Sequence, residues 1–291
     1  MHLGSQPTRP AAAVAADSTG VDRYGVMGYP VAHSRSPVIH RLFAHQTGQN
    51  MQYELLQVKP DKLEQTVRQF QRTGGKGLNV TVPHKTASCQ LADQLSERAS
   101  TAGAVNTLVF QDGDVFGDNT DGIGLLRDMV VNQGLNLEGA SVLILGAGGA
   151  TRGIVGPLLE MEPERLVIAN RTLGKAEIIS DHFARSGPVS ASEFDTIPDG
   201  HWDLIINATS AGLKGETPPY PDAALSDDTF CYDLSYGLKP TPFCQWAREQ
   251  GATRVTSGWG MLVEQAAESF HIWRGVRPDT RPVLKQIAVS A

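Results

Sequence analysis

Ser141-Val142-Leu143-Ile144-Leu145-Gly146-Ala147-Gly148-Gly149-Ala150-Thr151-Arg152-Gly153 decides how this chain folds. Its opening is a short, nearly continuous apolar run, which fits a strand covered on both faces, as parallel strands are. The glycines then mark a tight turn, and Ile154, Val155, Leu158 and Leu159 recur at helical spacing beyond it. Strand, glycine turn and helix in that order make an anion cradle. Glycine lets the backbone approach closely, and the helix N-terminus offers unpaired N–H groups and a favourable dipole. A strict GxGxxG is absent, because Thr151 stands at the third position. The same residues would serve as a βα turn with no ligand, so the end of the next strand has to arbitrate.

That strand is Arg165 to Ala169, and Asn170-Arg171-Thr172 with Lys175 follow it. Enzymes that use NAD place an Asp or Glu here, about 20 residues beyond the glycines, against the ribose 2′-hydroxyl. A missing carboxylate and two cations suit a 2′-phosphate, so the expected cofactor is NADP. Read blandly, Arg171 and Lys175 are solvated surface charges. Strands at Leu204 to Asn207 and Cys231 to Leu234 extend the series into a doubly wound nucleotide domain.

Upstream, short β-branched runs alternate with amphipathic stretches in the βαβ manner. Tyr24 to Met27, Tyr53 to Val58 and Gly77 to Val82 read as strands, the last stopping at Pro83. Ser36 to about Thr47, Lys62 to Arg72 and much of Lys85 to Ala99 read as helices, with Ser36 a candidate N-cap and Pro37 at the first helical position. Val105 to Phe110 and Val115 to Phe116 flank the hairpin pair Asp112-Gly113. Helices at about Asp121 to Asn132 and Met261 to Arg274 frame the second half, the latter packing back on the first. The expected fold class is α/β: two α/β domains, an N-terminal substrate-binding domain with a mostly parallel sheet and a Rossmann-like doubly wound NADP domain, with a cleft between them. The expected boundaries are a flexible tail over 1–22, a substrate domain over 23–120 plus 261–291, and a cofactor domain over 121–260.

Composition narrows the functional classes. With 291 residues, a net charge of −6 and no dense Lys/Arg run, the chain lacks the clustered cations that nucleic-acid phosphates require. Three cysteines without CxxC spacing and eight histidines without HExxH predict no metal site and suit a reducing, cytoplasmic setting. No apolar run approaches the roughly 18 residues of a membrane helix, and the tail leaves a degenerate targeting segment open. Chemistry on a small molecule, by a monomer or homodimer without nucleic-acid or membrane partners, is the expectation.

The first half carries Gly28-Tyr29-Pro30-Val31-Ala32-His33-Ser34-Arg35-Ser36-Pro37, Asn79-Val80-Thr81-Val82-Pro83-His84-Lys85, Gly103-Ala104-Val105-Asn106-Thr107 and Gly117-Asp118-Asn119-Thr120-Asp121-Gly122. The second adds Asn207-Ala208-Thr209-Ser210, Tyr232-Asp233 with Tyr236, and Gly258-Trp259-Gly260-Met261-Leu262 leading to Gln265. In this order, from about Arg23 to the C-terminal region, the motifs resemble the shikimate dehydrogenase family. The resemblance implies NADPH-dependent reduction of 3-dehydroshikimate to shikimate, on the route to chorismate and the aromatic amino acids. It implies Lys85 as the acid/base, Asp121 as its orienting partner and acceptor of a substrate hydroxyl, and Ser34 and Ser36 on the substrate carboxylate. Asn79, Thr81, Asn106, Tyr236 and Gln265 would bond the ring hydroxyls or the carboxylate. Gly146, Ala147, Gly148, Gly149, Ala150, Asn170, Arg171, Thr172, Lys175, Leu234, Gly258, Met261 and Glu97 would line the cofactor. Trp259 departs from the aliphatic residue of many members, and Tyr29 from the Asn common before the proline.

Each role also has a plainer counterpart in the residue itself. Hydroxyls at a helix start can hold a carboxylate, yet Ser36 alone is an ordinary N-cap. Lys85 can protonate a forming alkoxide or sit in solvent, Asp121 can be an N-cap, and the amides can be turn residues. Three rival functions differ at nameable positions. An NAD-using quinate/shikimate dehydrogenase would carry an acidic residue at Asn170 to Thr172. A non-enzymatic dinucleotide sensor has no need of Lys85 and Asp121, and a methyltransferase no need of Arg171 and Lys175.

Overall fold

The structure, a computed structural model, describes residues 20–209 and 225–289; Ser210 of the motif above and residues 1–19 of the expected tail lie outside them. Two six-stranded sheets organise the chain. The first is built from β1 (Asp22–Gly28), α1 (Ser36–Thr47), β2 (Met51–Gln57), α2 (Leu63–Arg72), β3 (Gly75–Val80), α3 (Lys85–Leu91), β4 (Gln94–Leu95), α4 (Glu97–Ala102), β5 (Thr107–Gln111) and β6 (Asp114–Asp118). Its order is β2-β1-β3-β5-β6-β4. The β2-β1-β3 side is parallel, whereas β5 runs antiparallel to β3 and β6. Asp112 and Gly113, at φ 54° and 90°, make the hairpin turn that their residue types predict.

Three local expectations change. The helix expected over Lys85 to Ala99 is broken. Ala92 turns to extended backbone, Asp93 N–H bonds Val115 O at 2.8 Å, and β4 pairs with β6 before Ser96 Oγ accepts the Ala99 N–H at 3.1 Å to start α4. Pairing the sheet edge outweighs helix continuation there. β3 ends at Val80 instead of Val82: Thr81 N–H still bonds Met27 O of β1, but Thr81 O then accepts from His84 N–H at 3.0 Å, which turns the chain out of the sheet. Ser36 is the first helical residue, not the N-cap; Arg35 holds that position and makes no side-chain cap, and Pro37 is second.

The second sheet follows α5 (Asp121–Leu126), which continues as a π-helical stretch over Arg127–Asn132. It comprises β7 (Ser141–Leu145), α6 (Gly149–Leu159), β8 (Arg165–Ala169), α7 (Leu173–Phe183), β9 (Val189–Ser192), β10 (Leu204–Asn207), β11 (Phe230–Asp233), α8 (Pro242–Glu249) and β12 (Arg254–Ser257). All neighbours are parallel in the order β12-β11-β10-β7-β8-β9, so the winding reverses between β7 and β10, the crevice where such sheets bind ligands. Apolar clusters cover both faces: Ile144, Ile154, Leu158 and Ile206 lie in one, Leu143, Leu145, Ile205 and Phe243 in the other. β9 and β12 are additional to the sequence reading. They are short edge strands whose Val189-Ser190-Ala191-Ser192 and Arg254-Val255-Thr256-Ser257 hold no apolar run.

α9 (Trp259–Arg274) and α10 (Thr280–Val289) complete the described chain. Val263, Ala266 and Phe270 of α9 pack with Ile39 and Phe43 of α1, and Trp273 Nε1 donates to Leu108 O at 3.0 Å. The helix thus leaves the second sheet and anchors on the first. No helix among the described residues is long and apolar enough to cross a membrane.

Candidate active site

Lys85 opens α3 just beyond β3, and Asp121 opens α5 just beyond β6, so two strand ends deliver a cation and an anion to one place. Lys85 Nζ donates to Asp121 Oδ2 at 2.6 Å, with side chains only 12% and 5% exposed. Asp121 Oδ1 accepts from Asn106 Nδ2 at 2.9 Å, and the Asp121 N–H donates to Asn119 Oδ1 at 3.0 Å. Both carboxylate oxygens are therefore engaged, and the side chain is not spent on a helix cap.

The start of α6 leans against this pair. A Cβ on Gly149 would stand 3.3 Å from Lys85 Cβ, and one on Gly153 would stand 2.9–3.1 Å from the Asn119 and Asp121 side chains. These glycines bring the nucleotide-type helix into contact with the dyad.

A buried polar row leads away from Asp121. Asn106 Oδ1 accepts from Thr120 N–H at 2.8 Å and Thr107 Oγ1 at 2.9 Å, while its Nδ2 also faces Gln265 Oε1 at 3.2 Å. Ser269 of α9 joins the row through Thr107 Oγ1 at 2.8 Å and Asn79 Nδ2 at 2.9 Å. Asn79 Oδ1 accepts from the Tyr53 hydroxyl at 2.7 Å. That hydroxyl also reaches the Ser36 side chain, and Ser34 Oγ donates to Ser36 Oγ at 3.2 Å. From the second sheet's side, the Tyr236 hydroxyl reaches the Ser34 side chain and the Arg35 backbone. Burial raises the pKa of Tyr236, and that of Tyr53 well above the usual phenol range, so both stay protonated donors. The row has a cation and a carboxylate at one end and a cluster of neutral hydroxyls at the other. Thr81 sits half-buried beside it, its methyl against Gly28 and its N–H on Met27 O.

Across the crevice, Gly146 has φ 106°, and a Cβ there would crowd the Ala208–Thr209 backbone at 3.0 Å. Thr151 Oγ1 donates to Gly146 O at 2.8 Å, which explains a hydroxyl residue at the third motif position: it fastens the turn from inside the helix. Gly148 caps α6 without a side chain, and the first intrahelical bond runs from Arg152 N–H to Gly148 O, so the N–H groups of Gly149 and Ala150 stay available to an anion. At the end of β8, Asn170 Nδ2 closes the turn on Thr172 O at 2.9 Å. Arg171 and Lys175 are exposed, and among the described residues neither meets a carboxylate at ion-pair distance. Ala147, Ala208, Leu234 and Met261 pack in one apolar cluster, and Gly258 is a glycine because a Cβ would run into the Leu234 carbonyl. An apolar wall, a glycine cradle and free cations beyond β8 fit an NADP molecule laid along the sheet ends.

Glu97 makes no hydrogen bond or ion pair with this lining among the described residues. It is exposed in the first turn of α4, where its charge complements that helix end. Tyr53, Thr107, Asn119, Thr120 and Ser269 carry no role in the sequence pattern, although Thr107, Asn119 and Thr120 lie within quoted motifs. Tyr53 reads in sequence only as one position of an alternating strand, and Ser269 as a small residue on an apolar helix.

Three family models match successive parts of the chain. The family described as "Shikimate dehydrogenase substrate binding domain" matches residues 26–108, "Shikimate / quinate 5-dehydrogenase" matches 129–214, and "Shikimate 5'-dehydrogenase C-terminal domain" matches 258–288. The chain is 55% identical to the shikimate dehydrogenase (NADP(+)) of Methylococcus capsulatus, covering 92% of this chain and 97% of the relative. The protein of the same name from Alkalilimnicola ehrlichii is 54% identical, over 90% and 97%. The crystal structure of shikimate 5-dehydrogenase from Thermus thermophilus in complex with NADP(H) and shikimate superposes with a TM-score of 0.82 at 31% identity, covering 93% of this chain and 99% of that one.

Proposed function

The chain belongs to the shikimate dehydrogenase family, and on that premise we propose that it is the NADP-dependent oxidoreductase that interconverts 3-dehydroshikimate and shikimate. The observation that carries the reading is the Lys85–Asp121 pair, 2.6 Å apart and touched by Gly149 and Gly153 of the glycine helix. NADPH, when bound, supplies the hydride for the ketone carbon. Lys85 donates a proton to the ketone oxygen as negative charge develops there, and in the reverse direction takes it from the hydroxyl. Asp121 fixes the ammonium and accepts from the neighbouring ring hydroxyl, while Asn106 holds the second carboxylate oxygen in place. Ser34, Ser36 and Tyr236 receive the substrate carboxylate with hydroxyl donors, and Asn79, Thr81 and Gln265 bond the ring hydroxyls. An analogue lacking one of those hydroxyls leaves a buried group unpaired, which is the physical basis of selectivity.

Arg171 and Lys175 support NADP over NAD, since their guanidinium and ammonium suit a 2′-phosphate. Residues 23–120 with 261–291 serve as the substrate unit and 121–260 as the cofactor unit. A cytoplasmic monomer or homodimer is the working form, which sedimentation of the purified chain checks. The test of the activity crosses 3-dehydroshikimate and dehydroquinate with NADPH and NADH. Turnover should be greatest for 3-dehydroshikimate with NADPH. Preference for NADH and dehydroquinate would assign the chain to the quinate branch, and no nicotinamide oxidation at all would favour a sensor.

A further inference from the structure

Building on that reading of the reaction, we infer that Trp259 is a positioning residue that sets the Tyr236 hydroxyl at the carboxylate end of the substrate site. Tyr236 lies between β11 and α8, outside the first sheet, yet its hydroxyl reaches Ser34 and Arg35 across the crevice. Its own stretch is lightly held. Ser235 is fixed by its N–H on Asp233 Oδ1 at 2.9 Å and by Gly258 N–H on its carbonyl at 2.9 Å, but residues 237–240 are exposed.

Trp259 supplies what the backbone lacks. Half-buried at the start of α9, it lays its indole on the Tyr236 ring at a centroid distance of 4.7 Å and a tilt of 46°. Its Nε1 donates to Gly237 O at 3.4 Å, and it packs against the apolar cluster that holds Ile39 and Phe43 of α1. One side chain therefore grips the Tyr236 ring and the following peptide while resting on the first sheet's own helix. An aliphatic residue would keep the apolar contact and lose both the ring face and the N–H donor. Tyr236 would then have to be ordered by each arriving substrate, and that ordering cost falls on binding. Lys85 and Arg171 lie in other parts of the site, so proton transfer and the 2′-phosphate contact are untouched.

The test is steady-state oxidation of shikimate with NADP by Trp259→Leu and Trp259→Phe, each repeated in a Tyr236→Phe background. Trp259→Leu should raise the KM for shikimate about 3- to 10-fold, the scale of an aromatic pair. It should leave kcat and the KM for NADP within about twofold, the same scale's lower edge. Trp259→Phe should recover most of the loss, and in the Tyr236→Phe background Trp259→Leu should add little. An equal KM rise in both backgrounds overturns the inference, as does a loss spread over kcat and both KM values. The wild-type enzyme separates the two levels of the proposal: failure to oxidise shikimate sinks the reaction itself, whereas turnover with an unaltered Trp259→Leu KM sinks only the role of Trp259.

Discussion

Arg171 tests residue-scale chemistry on its own, because beyond the end of β8 it is exposed and, among the described residues, in no ion pair, so replacing it disturbs no packing. Arg171→Ala should raise the KM for NADPH by about 10-fold or more, the worth of a charge-assisted phosphate contact, and barely change the KM for NADH. Equal effects on the two cofactors would remove the 2′-phosphate from the account. Arg171 and Lys175 could be read from sequence because their meaning depends on one distance along the chain, from the glycine turn to the end of the next strand. Ser269 and Tyr53 could not. Each acts through a long-range contact, in both cases with Asn79, which no local pattern encodes.

Among the elements, α6 shows how a glycine pattern serves two purposes at once. Gly146 shapes the turn and Gly148 leaves open space before the helix, while Gly153 lets the helix lie against Asn119 and Asp121. Gly153→Ala places a methyl 2.9–3.1 Å from those side chains. It should lower stability by about 1–3 kcal/mol, the usual range for overpacking, and lower kcat more than the KM for NADPH. Wild-type kcat in a stable Gly153→Ala protein would show that the helix has room to spare. β7 and α6 were legible because a buried parallel strand and a glycine turn are local signals. The break between α3 and α4 was not, since the backbone partner of Asp93 is Val115, which lies on the hairpin that follows.

For the molecule as a whole, His40 links stability to pH. Its ring is fully buried and stacked on Tyr53 at 4.2 Å, neither nitrogen has a hydrogen-bond partner within 3.5 Å among the described residues, and burial lowers its pKa from 6.5 to about 3 against a weaker upward pull from Asn79. The unfolded chain takes a proton below pH 6.5 and the folded chain does not. The stability present above pH 6.5 is therefore lost as the pH falls toward 3, at up to about 1.4 kcal/mol per unit. Urea unfolding between pH 7 and pH 4 should give a steeper decline for the wild type than for His40→Phe; parallel declines would mean that His40 is protonated in the fold. The two-sheet architecture and its crevice were legible from the order of strands and motifs, whereas the burial of His40 against Tyr53 needed the assembled fold. What the assembled crevice does is tested most directly by measuring NADPH oxidation with 3-dehydroshikimate, alongside shikimate binding, for the wild type and Lys85→Met. The wild type should turn over, and Lys85→Met should bind shikimate yet lose about 10²- to 10⁴-fold in kcat, the range of acid/base catalysis. An unchanged kcat with binding abolished would contradict the account.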